Sequence, residues 1–145
     1  MVEVKTAMRS GDIPEIMTKA TQNAGMAPFS NFNGIFAFEK RNLNIGTNIN
    51  QNLRNSLNSS NGEVNYICLG ENIFIKFWGA REKQEDNLDR MYSFYKIDDL
   101  AFSYFISNMV ENIAPDKVFD KSWFLYPIQN EFGKEFYNVM DLKNK

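Results

Sequence analysis

Histidine is absent from the 145 residues, and cysteine occurs once. Without imidazole the chain lacks the side chain that ordinarily titrates near neutrality, and with it a serine triad and histidine metal ligands. A lone cysteine excludes an internal disulfide framework and a cysteine-based zinc cluster. Charge of one sign is scarce as well: 16 basic against 18 acidic side chains leave a net −2. That is too little for a nucleic-acid-condensing protein or a polybasic membrane binder. No window approaches the roughly 18 consecutive apolar residues that a spanning helix needs. The greasiest stretch, Leu100 to Val110, is broken by Ser103, Ser107 and Asn108. Met1 to Thr6 carries charge where a signal peptide needs an apolar run. A cytoplasmic location is expected. Neither a Gly-x-Gly-x-x-Gly pattern nor a Walker phosphate loop is present.

What is there is enough for a core: 43% of the residues are apolar and 14% are aromatic, in a length typical of one domain. Asparagine is abundant, with 19 in the chain and eight between Asn42 and Asn61. The regular apolar spacing inside that window reads as structure under compositional bias rather than as a low-complexity tract. Residues 1–145 are expected to form a single α+β domain. Residues 1–11 are expected to be a flexible N-terminus and 115–145 a C-terminal extension packing on the core.

Asp12, Pro14 and Glu15 read as the N-cap, first-turn proline and capping-box glutamate of a helix. Ile13, Ile16, Met17, Ala20 and Ala24 give it one apolar stripe, and Gly25 and Pro28 are expected to stop it. Gly34 to Glu39 reads as a strand covered on both faces, Lys40 to Asn42 as a turn, and Leu43 to Ile45 as a short return strand. Ile49, Leu53 and Leu57 mark a weak, asparagine-rich helix. Glu63 to Trp78 predicts a hairpin turning at Gly70-Glu71, with Cys68 opposite Ile73, Tyr66 opposite Ile75 and Val64 opposite Phe77 on one sealed face. Met91 to Ile97 is expected to be a strand on its aromatic content. A helix capped by Asp98 or Asp99 follows, with Phe102, Phe105, Ile106, Met109, Val110 and Ile113 as its broad face, and Pro115 ends it. Trp123 to Ile128 reads as an edge strand. Phe132, Phe136, Val139 and Met140 suggest a short terminal helix, against the objection of Gly133. The predicted architecture is a central antiparallel sheet of about four to five strands with helices packed on it. Its order, α-β-β-α-β-β-β-α, is that of profilin-like and roadblock-like sheets; a ferredoxin-like order is the alternative. Either analogy carries no function.

Two constellations are candidates for function. On the reverse face of the hairpin, Phe74, Lys76 and Trp78 fall at i, i+2 and i+4, and Phe36 and Phe38 extend the row on the first strand. Rings beside a cation suit protein contact or base stacking; the competing reading is that a helix covers this face and Lys76 reaches out at its edge. Glu82, Glu85, Asp86 and Asp89 pair at i, i+4 on a helix and would suit Mg²⁺ or Ca²⁺; the competing reading is a solvated charged face. Cys68 is expected to be a buried structural thiol. The expected function is a non-catalytic protein-interaction domain: an adaptor or inhibitor, with an immunity or anti-defence protein of a mobile element among the options. Its expected partner is another protein, with self-association through the sheet edge or a helix open, and with no cofactor, catalytic residue or membrane partner. The alternatives are a single-stranded nucleic-acid binder and a carboxylate- or metal-dependent enzyme.

Overall fold

The computed structural model describes residues 1–26, 31–43, 45, 49–79, 91–97 and 99–114, together with the backbone of 134–141. Among these residues the order is β1 (Val2–Arg9), α1 (Ile13–Met26), β2 (Gly34–Arg41), α2 (Gln51–Ser60), β3 (Tyr66–Leu69), β4 (Ile73–Trp78), β5 (Met91–Ile97), α3 (Ala101–Ile113) and β6 (Lys134–Asp141). The α+β class stands. The six strands form one sheet in chain order, β1 to β6. It is mixed rather than antiparallel: β1, β2 and β3 run parallel, and β3 to β6 alternate. From α1 to α3 the described elements run α-β-α-β-β-β-α, with one strand added before α1 and another after α3.

Both added strands come from segments expected to be something else. Residues 2–9, expected to be flexible, pair with β2 from Val2↔Gly34 to Arg9↔Arg41. Their side chains alternate only loosely between apolar and polar, and what orders them is the neighbouring strand's open edge. Residues 134–141, expected to include a short helix, pair antiparallel with β5 from Ile97↔Lys134 to Met91↔Asp141. Tertiary pairing overrides the helical spacing of Phe132, Phe136 and Met140. The expected return strand shrinks to a single bridge, Ile45↔Ile49, and β2 runs on through Lys40 and Arg41. The expected strand at Trp123–Ile128 lies outside the described residues.

The helices α1 and α2 cover one face of the sheet. Ile13, Ile16, Met17 and Ala20 of α1 and Leu53 and Leu57 of α2 pack on Ile35, Ala37, Ile67, Leu69, Ile73, Ile75, Tyr92 and Phe94. Asp12 closes a short 3-10 turn before α1, its carboxylate accepting the Arg9 N–H at 3.1 Å, so it acts one turn earlier than the expected N-cap. Three asparagines hold α2 despite their poor propensity. Asn50 Oδ1 accepts the N–H groups of Asn52 (3.0 Å) and Leu53 (3.3 Å). Asn52 Nδ2 donates to the Ser10 carbonyl at 3.0 Å, and Asn61 ends the helix at φ +52. An N-cap of this type contributes about 1 kcal/mol.

The opposite face carries α3. Ala101, Tyr104, Phe105 and Asn108 are its buried positions, spaced i, i+3, i+4 and i+7 as one helical stripe demands. They rest on Phe32, Tyr66, Cys68, Phe74, Tyr95 and Ile97. The approach to β2 is close: a β-carbon at Gly34 would lie 2.7 Å from Cζ of Phe105. Leu100 is the N-cap, without a side-chain bond, in place of Asp98 or Asp99. The β3–β4 loop supplies the missing acceptor, Glu71 C=O taking the Ala101 N–H at 2.9 Å.

The hairpin register differs from the expected one by a single residue. Leu69 stands opposite Ile73, Cys68 opposite Phe74, Ile67 opposite Ile75 and Tyr66 opposite Lys76. Three residues turn the chain, Gly70, Glu71 and Asn72, with Gly70 at φ +68, a conformation that suits glycine. The shift puts Tyr66 and Cys68 on the α3 side with Phe74 and Lys76, and leaves Ile67 and Leu69 with Ile73 and Ile75 on the other. All four residues of β3 are buried, so no polar position in the strand opposes either choice of face.

Candidate protein-interaction surface

The expected aromatic and basic platform is divided by the fold. Phe74 is 0% exposed, lying 5.7 Å from the Tyr104 ring under α3. Lys76 and Trp78 are buried too. The Lys76 ammonium sits 3.9 Å from the Trp78 ring centroid and 5.6 Å from that of Tyr66, and Trp78 Nε1 donates to Ser93 Oγ at 3.0 Å. These three residues therefore belong to the interior, because β4 has covered neighbours on both sides and both faces. The cation that was to sit beside exposed rings is withdrawn from the surface.

Phe36 and Phe38 behave differently. They lie on β2, one strand from the sheet's β1 edge, on the α3 side. Phe36 is half-buried, whereas Phe38 is 55% exposed. Their rings meet edge-on at 5.0 Å, and Phe102 of α3 joins them at 5.1 Å from Phe36 and 6.1 Å from Phe38. Val4, the β1 partner of Phe36, is 58% exposed, and Ile106, one turn beyond Phe102, is 45% exposed. Val4, Phe36, Phe38, Phe102 and Ile106 thus make an apolar surface across β1, β2 and the outer side of α3.

Its cause is geometric. Six strands about 4.8 Å apart span roughly 24 Å, and a helix with its side chains is only about 10–12 Å wide. Among the described residues, α1 and α2 seal one face, and α3 seals the middle strands of the other. The outer side of α3 adds to the patch. Phe102, Ile106 and Ile113 were expected to help bury the helix, yet Ile106 and Ile113 face outward. The sequence held the signal: α3 has more apolar residues than one buried stripe can take. Val4 carries no such signal, because residues 1–11 read from sequence as a flexible N-terminus.

Other places in the described fold offer less chemistry. A groove of about 500 Å³ runs between α1 and α2, lined by Thr18, Thr21, Gln22, Asn52, Asn55 and Ser59 among others. The described residues that line it present hydroxyls and amides and include no ionisable side chain. Cys68 is fully buried, its thiol donating to the Gly70 carbonyl at 3.4 Å, and burial pushes its pKa up to about 12. A neutral thiol is a poor nucleophile. Tyr92 is a structural tie: its hydroxyl donates to Val64 C=O at 2.9 Å, accepts the Gly62 N–H at 3.1 Å and meets Ser60 Oγ at 2.9 Å. Among the described residues, no three metal-ligating side chains converge; Glu82, Glu85, Asp86 and Asp89 lie outside those residues. No described helix is long and apolar enough to cross a membrane. No protein-family model matches the chain, and neither a characterised protein nor a solved structure matches it.

Proposed function

We propose that this chain is a non-catalytic protein-interaction domain, an adaptor or inhibitor of the kind that includes immunity and anti-defence proteins, acting in the cytoplasm on another protein. The observation that carries the reading is the cluster of Phe36, Phe38 and Phe102 at the surface, flanked by Val4 and Ile106. Contiguous exposed apolar groups on a folded domain favour association, and ring side chains anchor interface cores at low entropic cost. Burial of Lys76 weakens the nucleic-acid alternative, which needed that cation beside exposed rings. No cofactor enters this reading.

The test is a double variant, Phe38→Asp with Ile106→Asp, at two exposed positions that a folded monomer tolerates. Tagged wild-type and variant chains are compared by quantitative mass spectrometry after recovery from native host extract. A protein held by the wild type and lost by the variant, with unchanged circular dichroism, is the expected result. Identical recoveries from both chains would sink the reading.

A further inference from the structure

The outer edge of β1 has a pattern that fits one partner, a second copy of itself. In the parallel β1–β2 pair, Gly34 N–H donates to Met1 C=O at 2.9 Å, and Val2 stands opposite Gly34. The alternation of a parallel ladder then turns the N–H and C=O of the odd residues, Glu3, Lys5 and Ala7, toward β2. Those of Val2, Val4 and Thr6 point away from the sheet. Among the described residues β1 ends the sheet, with an unbroken register to β2. The usual devices that discourage edge pairing, a proline, a bulge or a short strand, are absent from its eight residues. Its charges do not keep another strand away either, because Glu3 and Lys5 are opposite in sign and Arg9 stands at the strand's end.

We propose that two copies pair antiparallel through β1 about a two-fold axis at Val4, which extends the two sheets into one. With Val4 opposite Val4 of the second copy, Val2 faces Thr6 and Thr6 faces Val2, and about six main-chain hydrogen bonds form between outward groups. The same register sets Glu3 opposite Lys5 and Lys5 opposite Glu3 at the close, non-hydrogen-bonded sites. Glu3 and Lys5 already share the α1 side of the strand, with Lys5 Nζ 3.0 Å and Lys19 Nζ 3.2 Å from Glu3 Oε1. Neighbouring registers are disfavoured by the same charges: centring on Glu3 or on Lys5 places like charges face to face, which destabilises a strand pair. Centring on Thr6 draws in Ser10, where the 3-10 turn has already bent the chain. The axis at Val4 also brings the two Val4 side chains together on the α3 side, so part of the exposed apolar surface is covered and both aromatic clusters face the same way. The pairing goes beyond the proposed function and stands on the β1 edge alone.

The test uses sedimentation velocity on the full chain at low ionic strength, from micromolar to a few hundred micromolar. Wild type is expected to dimerise with concentration. Glu3→Lys leaves two lysines facing two lysines, and Lys5→Glu leaves two glutamates facing two glutamates. Each is expected to weaken the dimer by about tenfold or more. An equimolar mixture of the two variants, one of them labelled with nitrogen-15, restores opposite charges at all four positions and should form a heterodimer of intermediate mass in native mass spectrometry. That mixture repairs nothing inside either monomer, so its recovery reports the contact between copies. Val4→Pro removes a donor that faces outward and should abolish the dimer with little change in circular dichroism. A wild type that stays monomeric throughout, single charge variants that dimerise like wild type, or a mixture that stays monomeric would each overturn the proposal.

Discussion

The face of the sheet under α1 and α2 is filled mainly by aliphatic side chains, whereas the face under α3 is filled by rings. Of the buried residues in the first cluster only Tyr92 and Phe94 are aromatic, while six of the nine in the second are: Phe32, Tyr66, Phe74, Tyr95, Tyr104 and Phe105. Among the described residues, the difference follows from how many helices each face receives. Two helices bring enough methyl-bearing side chains to close the first layer. The second has one helix among the described residues, α3, and large rings reach further from a single axis than branched aliphatics do. The rings still fall short at β1 and β2. The same shortage that selects aromatics for the core under α3 leaves Phe38 and Val4 in solvent.

Substitutions on the two faces can break this comparison. Phe74→Ala and Leu57→Ala remove fully buried side chains, one from each layer. Each is expected to cost roughly 2–5 kcal/mol in denaturant unfolding, with Phe74 at the upper end. A cost under about 1 kcal/mol for Phe74→Ala alone would mean that the α3 side is not a packed core. Tyr92→Phe keeps the ring under α2 and removes the hydroxyl that joins Ser60, Gly62 and Val64. Buried groups left without partners cost about 1–3 kcal/mol, and the loss should appear as a lowered denaturation midpoint with an unchanged slope. Phe38→Ser, on the open margin of the α3 side, should change stability by less than about 0.5 kcal/mol. A larger loss in the same unfolding measurement would place Phe38 in the core rather than on a contact surface.

Much of the chain's local order is legible without coordinates. The stripe from Ile13 to Ala24, the spacing of Leu53 and Leu57 and the aromatic run at Met91 to Ile97 each announce an element that forms. Phe36 and Phe38 are recognisable as candidate surface rings on the same footing as Phe74, Lys76 and Trp78. What separates them is their distance from the sheet's centre, which residue type does not encode. The hairpin register differs by one residue from the one the turn predicts, because a glycine at the start of a turn serves a two-residue and a three-residue loop alike. The run Tyr66 to Leu69, apolar on both faces, offers no polar position to choose between them.

Local periodicity and turn chemistry depend on neighbours a few residues away, so the amino-acid order by itself determined the three helices and the strands β2 to β5, while β1 and β6 form only because an open sheet edge pairs with them. Tertiary structure alone decided which strands became edges, that β1 to β3 run parallel, and which rings α3 was too narrow to cover. Those outcomes depend on how six strands share a limited number of helices, a competition among segments far apart in the chain.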